Sequence, residues 1–311
     1  MTETATEIAW RENLTAFVKE WGRKSKAGQD REYLGDAPFP NFVLTTKAKS
    51  WDDCLRWIAG LEGRWYFRGQ REAAWGLDTS LDRGVWRGTK TGYMHLDRQA
   101  EMKELLFRFK QDAHNYLTHV PTSTDIASWY ALMQHFGAPT PLLDWTESPF
   151  VGLYFALEDK ASVKRKRERE AYSAVWAINA EWLEIKEKES KVDHFSSDDL
   201  LSRRTPLIIR INPVTSNPRL FAQQGLFLCR LLAQASFADM LMTMMMHPNL
   251  TDKPVIRKLE IGSRLRINFL KNLRAMNIHR ASLFPGLDGL GALLKLDLEL
   301  KDGGHVTSPH R

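Results

Sequence analysis

Two short segments, residues 66–70 and residues 142–148, carry the side chains best suited to chemistry. Arg68 stands in the first, within Tyr-Phe-Arg-Gly-Gln, and its planar guanidinium could bind a ribose or a pyrophosphate through paired, charged hydrogen bonds. Gly69 would let such a ligand approach the backbone. Asp144, in the second segment, could pair with Arg68 and lock the two segments together. Both roles can hold at once, because a ligand-binding arginine often needs a carboxylate to orient it.

Hydroxyl and imidazole groups stand close to these segments in the sequence. Thr146 and Ser148 could bind a nicotinamide amide or a ribose hydroxyl, and each is equally a candidate N-cap for a helix that begins at Pro149. His135 lies near a predicted helix end at Gly137, where it could cap the helix or transfer a proton. These alternatives stay open at the level of the sequence.

Aromatic residues give a further hint of a flat ligand. The chain contains 11 tryptophans, and Trp145, Tyr66 or Trp75 could stack on a nicotinamide or a base. Burial in the core is the more ordinary role for any one of these rings.

Helices and strands that position these residues follow one another without regular βαβ spacing. The pattern predicts a helix followed by a loop within residues 7–28 and helices over residues 50–58, 97–118, 125–136, 149–157 and 264–276. It also predicts a helix and surface loop within 181–204 and a last short helix after a turn at 284–290. It predicts strands over residues 64–70, 174–178, 207–211 and 255–261, a short segment at 142–146, and a loop leading into a strand within 219–229. This order favours an α+β fold, with a small mixed or split sheet surrounded by helices.

Composition narrows the class of protein. Of 311 residues 43% are hydrophobic and 26% charged, which excludes global disorder. The two cysteines, Cys54 and Cys229, have no partner at metal spacing, so we expect neither a zinc site nor a disulfide framework. The polar start and the lack of long apolar runs predict a cytoplasmic protein without a membrane partner.

Charge permits an anionic partner without requiring one. The formal net charge is +6, and the basic segments 160–171 and 257–274 could contact nucleic acid or could simply be solvated. Five methionines lie within residues 240–246, and we expect them to fill the core or form a local partner surface.

Three motifs together closely resemble the FRG domain, a mostly bacterial family named for its Phe-Arg-Gly triplet. They are Tyr66 to Gln70, the spaced residues from Trp75 to Arg83, and the long run from Leu132 to Pro149; residues 219–227 and 282–289 are similar to its later motifs. The resemblance implies an N-terminal helical extension at 1–45, an FRG domain at 46–297 and a flexible tail at 298–311.

A looser similarity connects the chain with the ADP-ribosyltransferase superfamily, which implies an ADP-ribosyltransferase-like core and NAD as substrate without a metal. Arg68 matches the superfamily's first element and Thr146-Glu147-Ser148 its second, whereas Gln223-Gln224-Gly225 stands where a catalytic glutamate is expected. Three alternatives then stay open: Asp144 or Glu147 supplies the charge from another direction, the chemistry is slow, or the fold serves binding alone. The implied NAD-binding residues are Arg68, Gln70, Ser80, Arg83, Thr146, Ser148 and Tyr154, and the implied catalytic residues are Arg68, His135, Asp144 and Gln223.

Three functions follow from these observations. The leading hypothesis is an ADP-ribosyltransferase or NAD glycohydrolase, acting as a toxin or anti-phage defence effector on a protein or nucleic acid. The alternative is a non-catalytic module that binds nucleic acid or protein. A metal-dependent hydrolase around His135 and Asp144 is the third.

Overall fold

A seven-stranded mixed sheet with helices on both faces forms the framework of the protein. The structure is a computed structural model, and it describes residues 12, 42–84, 98–161, 170–190, 207–211, 218–231, 235–246 and 253–302. The strands are β1 Leu44–Ala48, β2 Trp65–Gln70, β3 Leu142–Thr146, β4 Tyr172–Asn179, β5 Ile208–Ile211, β6 Gly225–Arg230 and β7 Ile256–Gly262.

Ten α-helices flank the sheet in the described residues. They are α1 Trp51–Ala59, α2 Arg98–Ala113, α3 Ile126–His135, α4 Pro149–Leu157, α5 Ala180–Glu189, α6 Pro218–Ala222, α7 Phe237–Met246, α8 Arg266–Ala275, α9 Arg280–Leu283 and α10 Leu287–Asp302. None of the described helices is long and apolar enough to cross a membrane.

The sheet has the strand order β1-β7-β4-β2-β3-β6-β5. Only the pairing of β1 with β7 is parallel; every other pairing is antiparallel. The central strands β2 and β4 share six register pairs, whereas β2 and β3 share one, Phe67 with Thr146. The sheet therefore splits between β2 and β3 on either side of that pair.

Alternating side chains along β2 and β4 separate two hydrophobic cores. Tyr66 and Trp176 point into the larger core, which also contains residues of α2, α3, α5 and α7. Phe67 and Val175 point into the second core, which also contains residues of α1, α4 and α8. This period of two is expected for a sheet covered on both faces.

The second core depends on a close approach between β2 and α4. A Cβ atom on Gly69 would lie 2.2 Å from the carbonyl oxygen of Gly152 and 2.4 Å from the amide nitrogen of Ala156. Gly152 in turn leaves room for Phe67, whose Cβ would be 3.0 Å from a Cβ at that position. Gly69 therefore admits helix α4. It also lines the cavity described below, and the expectation that a ligand approaches its backbone stays a prediction.

Several local predictions are confirmed. The Ser148 hydroxyl accepts a hydrogen bond from Val151 N, and Pro149 opens α4, so Ser148 is the N-cap. Gly137 follows α3 with a φ of +77°, in the left-handed region that favours glycine after a helix. The methionines of α7 fill the core, since Met240, Met242, Met244 and Met245 are buried.

Other elements differ from the sequence expectations. The sheet is larger than the small one predicted, and β1 was missed. Helix α2 ends at Ala113, before residue 118, and the segment before β6 contains the five-residue helix α6. Helix α10 spans 16 residues where a short helix was expected. Strand β1 and helix α10 run across the predicted domain boundaries at 45/46 and 297/298, and the helix predicted at 7–28 lies outside the described residues except for residue 12.

Replacing Gly69 with alanine should destabilise the protein by at least about 2 kcal/mol, because the new methyl group meets backbone atoms that side-chain rotation cannot move away. Urea unfolding of the variant measures this loss. Gly291→Ala is the matched control: Gly291 lies in the exposed part of α10, and no atom lies within 4 Å of the place a Cβ would take, so alanine there should stabilise by about 0.5–1 kcal/mol. Equal effects at the two glycines would contradict the close packing of β2 on α4.

Candidate functional site

A cavity of about 1220 Å³ opens where β2 and β3 separate. Its wall is formed by β2 and the segment that follows it, by α3, by β3, by the C-terminal end of α4, and by α6 with the start of β6. Basic and acidic side chains both face it. They are Arg68, Arg71, Arg83, Arg219, His119, His135, Asp78, Asp144, Glu158 and Asp159.

Arg68 lies at the split in the sheet. Its Nη1 donates a hydrogen bond to the carbonyl oxygen of Asp144 at 2.7 Å and lies 3.9 Å from the Asp144 carboxylate. The Arg68 side chain is 17% exposed and the Asp144 side chain is 61% exposed. Arg68 therefore ties β2 to β3, while the carboxylate beside it remains open to the cavity.

A short hydrogen-bonded chain orients the Asp144 carboxylate. Gln134 of α3 donates from Nε2 to Asp144 Oδ2 at 2.9 Å. The Thr140 hydroxyl donates to Gln134 Oε1, which fixes the direction of the amide. Helix α3 and strand β3 thus hold one carboxylate from two sides.

A buried ion pair positions Arg83. Residues 80–84 are helical, and Arg83 Nη1 donates to the carbonyl oxygen of Asp78 at 2.7 Å. The neighbouring Asp82 is buried and accepts hydrogen bonds from Arg230 Nη2 at 2.9 Å and from Thr79 N and Oγ1. The helical segment is therefore anchored to β6, with Arg83 facing the cavity.

The cavity wall around Arg68 favours an anion. Burial lowers the pKa of Arg68, and the nearby positive charge of Arg83 acts in the same direction, against the opposing effect of Asp144. Two guanidiniums thus face one partly hydrated carboxylate. An anionic ligand would stabilise the charged form of both arginines.

The remaining predicted residues divide between the cavity wall and the scaffold. His135 is the last residue of α3 and lines the cavity. Gln223 also lines the cavity, and its Nε2 donates a hydrogen bond to the Leu283 carbonyl at 3.0 Å. Thr146 also lines the cavity, but its hydroxyl donates to the Gln223 carbonyl at 2.7 Å and accepts from Ser148 N. Its hydrogen bonds therefore join β3 to the segment before β6.

Five other predicted residues serve the scaffold. Gln70 touches the cavity yet is buried between Trp176 Nε1 and the Gly76 carbonyl, with distances of 2.7 and 2.9 Å. The other four residues do not line the cavity. Ser80 is bonded to the backbone of residue 140, Tyr154 is buried, and Glu147 forms an ion pair with Arg210 at 2.9 Å. Ser148, the N-cap of α4, likewise does not line it.

Sequence reasoning missed Arg71, Glu158, Asp159 and Arg219, which the fold brings to the cavity. Glu158 follows the last residue of α4 and accepts a hydrogen bond from Arg280 Nη1 at 2.6 Å. The only signal in the sequence is that two acidic residues directly follow an apolar helix. Their approach to Arg68 depends on how α4 packs on β2, which is a long-range contact.

The cysteines and the possible metal ligands do not add to the candidate site. Both cysteines are buried, and burial raises the pKa of each thiol to about 12, so neither is a thiolate at neutral pH. Among the described residues, no group of three or more His, Cys, Asp or Glu side chains could hold a metal ion.

Basic residues in segment 257–274 are largely engaged within the chain. Arg264 forms two hydrogen bonds with the Glu170 carboxylate, Arg266 donates to the carbonyls of Leu157 and Glu158, and Arg274 contacts Asp297. Most of segment 160–171 lies outside the described residues.

Comparison with known proteins finds a family match for the part of the chain that contains several cavity residues. Residues 63–165, which run from just before β2 to just beyond α4, match the family model of the FRG domain. No curated protein and no solved structure matches the chain. The matched range includes Arg68, Arg83, Asp144 and Glu158, while Arg219 and Gln223 lie beyond it.

Arg230→Leu should destabilise the protein by about 3–5 kcal/mol, because it leaves the buried Asp82 carboxylate without its opposite charge. Chemical unfolding measures the loss. Arg264→Leu is the matched control, since it breaks an ion pair whose arginine is exposed and should lower the stability far less. A loss at Arg230 no larger than at Arg264 would show that the buried pair does not anchor residues 80–84.

Proposed function

Because the chain contains an FRG domain, at residues 63–165, we propose that its cavity binds a negatively charged nucleotide, with NAD as the first candidate, and that it breaks the bond between nicotinamide and ribose. The observation that carries this proposal is the placement of Arg68 and Arg83 beside a solvent-accessible carboxylate in one cavity. Further support comes from the size of the cavity, from an aromatic ring in its wall, and from the position of a carboxylate suited to the reacting bond.

Arginine geometry suits the phosphate groups of such a ligand. A guanidinium presents planar donors that bind phosphate oxygens in pairs and keeps its charge at any relevant pH. Arg68 is held by a backbone carbonyl and Arg83 by another, so both are oriented before a ligand arrives. Preorganised donors lose less entropy on binding, which favours affinity.

The size of the cavity and its aromatic wall favour an extended ligand. Its volume of about 1220 Å³ exceeds the roughly 300–1,000 Å³ of ordinary small-molecule pockets, which leaves space for a dinucleotide. Trp75 lines the cavity with an exposed ring, and the Arg71 guanidinium lies 5.2 Å from the centre of that ring. A nicotinamide or adenine ring could stack on this indole.

Asp144 is the candidate for stabilising the transition state. When the C1′–N bond of NAD breaks, nicotinamide leaves with the bonding electron pair and positive charge develops on the ribose. Gln223 offers only an amide dipole at the third motif, and its Nε2 is already bonded to Leu283. The Asp144 carboxylate supplies the full negative charge that this step needs.

The acceptor decides which activity results. Attack by water gives an NAD glycohydrolase, whereas attack by a group on a protein or nucleic acid gives an ADP-ribosyltransferase. In the second case we propose an effector of the toxin or anti-phage defence type, acting inside a bacterial cell.

The reaction is tested with purified protein and NAD labelled in the adenosine portion, with and without cell lysate. Free nicotinamide together with labelled ADP-ribose supports the hydrolase, and label on a macromolecule supports the transferase. Neither product, with intact NAD recovered from every mixture, would refute the enzymatic proposal. Binding of nucleic acid that weakens by orders of magnitude between about 50 and 200 mM salt would then favour the non-catalytic alternative.

Arg68→Ala should weaken NAD binding by roughly 10- to 150-fold, the loss of one charged hydrogen bond. It should also cost about 1–3 kcal/mol of stability, because the Asp144 carbonyl loses its donor while the exposed carboxylate stays hydrated. Isothermal titration and thermal unfolding measure the two effects. Arg68→Lys keeps the charge without the planar fork and should also bind weakly.

Arg64→Ala is the control for both Arg68 variants. Arg64 forms an exposed ion pair with Glu184 and does not line the cavity. Arg64→Ala should leave both the NAD affinity and the stability nearly unchanged, because an exposed ion pair contributes little to stability. A large loss of stability in both Arg68 variants, with affinity retained, would assign Arg68 to the scaffold alone.

A further inference from the structure

The acidic residues that line the cavity lie in unlike surroundings. The Asp144 side chain is 61% exposed and that of Asp159 is 71% exposed, whereas the Glu158 side chain is only 24% exposed. Glu158 stands at the end of α4, on a different element from Asp144, and both line one cavity. The cavity thus combines the enclosed carboxylate of Glu158 with the exposed carboxylates of Asp144 and Asp159.

Glu158 is held by defined partners. Its Oε2 accepts a hydrogen bond from Arg280 Nη1 at 2.6 Å, and it shares a hydrogen bond with the phenol group of Tyr154 one turn earlier. Its own backbone carbonyl accepts from Arg266 Nη2 at 2.7 Å. The carboxylate therefore has a fixed position at the cavity wall.

We propose that Glu158 is the general base of the cavity and removes the proton of the group that attacks the ribose, while the exposed Asp144 carboxylate stabilises the developing positive charge. The proposal rests on the proposed function, since it assigns a role within the same reaction. It adds a catalytic residue that no motif of the sequence indicated.

The step balances without a further reactant. The C1′–N bond of NAD breaks, and nicotinamide leaves as a neutral molecule with the electron pair. The oxygen or nitrogen of the acceptor forms the new bond to C1′ and gives its proton to Glu158, which later releases it to solvent. No oxidant, reductant or metal is required.

Two carboxylates in different environments are suited to these two tasks. An enclosed carboxylate holds a proton at higher pH than an exposed one, which suits it to proton transfer. Burial raises the pKa of Glu158, although Arg280 opposes the rise. The enclosed surroundings of Glu158 therefore agree with its assignment as the general base.

The sign of the pH dependence follows from the groups around Glu158. Arg280 and Arg219 lower its pKa, Asp159 raises it, and Tyr154 lies in hydrogen-bond contact. A base works only when deprotonated, so the rate should fall as the pH drops below the pKa of Glu158. Removing Arg280 should raise that pKa and move the acidic limb of the pH–rate profile to higher pH.

The experiment measures NAD binding and nicotinamide release from pH 4 to 9, on a roughly one-unit grid, for wild type and four variants. Glu158→Gln should bind NAD within about 3-fold of wild type, lose roughly 10²- to 10⁴-fold in rate and lose the acidic limb. Glu158→Asp should recover part of the rate together with an acidic limb. Arg280→Gln should keep the limb and move it to higher pH, because the charge that lowers the pKa of Glu158 is lost.

Glu170→Gln is the matched control. Glu170 is paired with Arg264 and does not line the cavity, so the same chemical change should alter neither the rate nor the profile. Wild type that releases no nicotinamide would overturn the proposed function together with this assignment. An active wild type whose Glu158→Gln variant keeps its rate within about 3-fold and its acidic limb would overturn the assignment alone.

A stabilising role for Glu158 without catalysis gives a different result. Loss of the Arg280 contact would then lower the melting temperature of Glu158→Gln and Arg280→Gln alike and leave the pH profile of both unchanged. That outcome would also overturn the assignment.

Discussion

The contact between the backbones of β2 and α4 at Gly69 leaves no room for a side chain, and the arrangement of the cavity depends on it. Because strand residues alternate in direction, placing Phe67 and Gly69 against α4 turns Arg68 toward the opposite face. The same close packing holds the end of α4, and with it Glu158, at the cavity wall. In the Phe-Arg-Gly triplet, Phe67 and Gly69 thus pack against α4, and this packing directs the positively charged Arg68 toward the cavity.

The cavity itself lies where β2 and β3 separate, next to the contact between β2 and α4. Beyond the single pair of Phe67 with Thr146, β2 and β3 no longer form a backbone ladder, and the Arg68 guanidinium satisfies the Asp144 carbonyl instead. A side chain that replaces a ladder hydrogen bond stabilises the split edge without closing it. The buried pair of Asp82 with Arg230 similarly holds residues 80–84 at the other side of the cavity. Both interactions are made by an arginine, because its several N–H donors can bind backbone carbonyl and carboxylate oxygens at the same time.

Local signals in the sequence predicted the elements better than their assembly. The N-cap at Ser148, the glycine after α3 and the strand at β2 are set by neighbouring residues, and all three were predicted. Strand β1 was missed because its polar centre gives a weak pattern, and its parallel pairing with β7 joins residues 44 and 257, far apart in the chain. Glu158 escaped notice for the same reason: its place at the cavity depends on tertiary packing. Gly69 was recognised, but whether a helix or a ligand approaches it could not be read from the residue type.

In the proposed reaction, the absence of a glutamate at residues 223–225 need not prevent catalysis. A reacting sugar responds to the position and the charge of a carboxylate, whatever strand supplies it. Asp144 is fixed through Gln134 on α3, and Glu158 through Arg280 on α9, so each is oriented by an element other than its own. Both elements pack on the sheet from different faces, α3 in the larger core and α9 in the second. A cavity built at the split in the sheet can therefore collect its charges from both faces. Residue 223 is a glutamine, but the carboxylates of Asp78, Asp144, Glu158 and Asp159 line the same cavity.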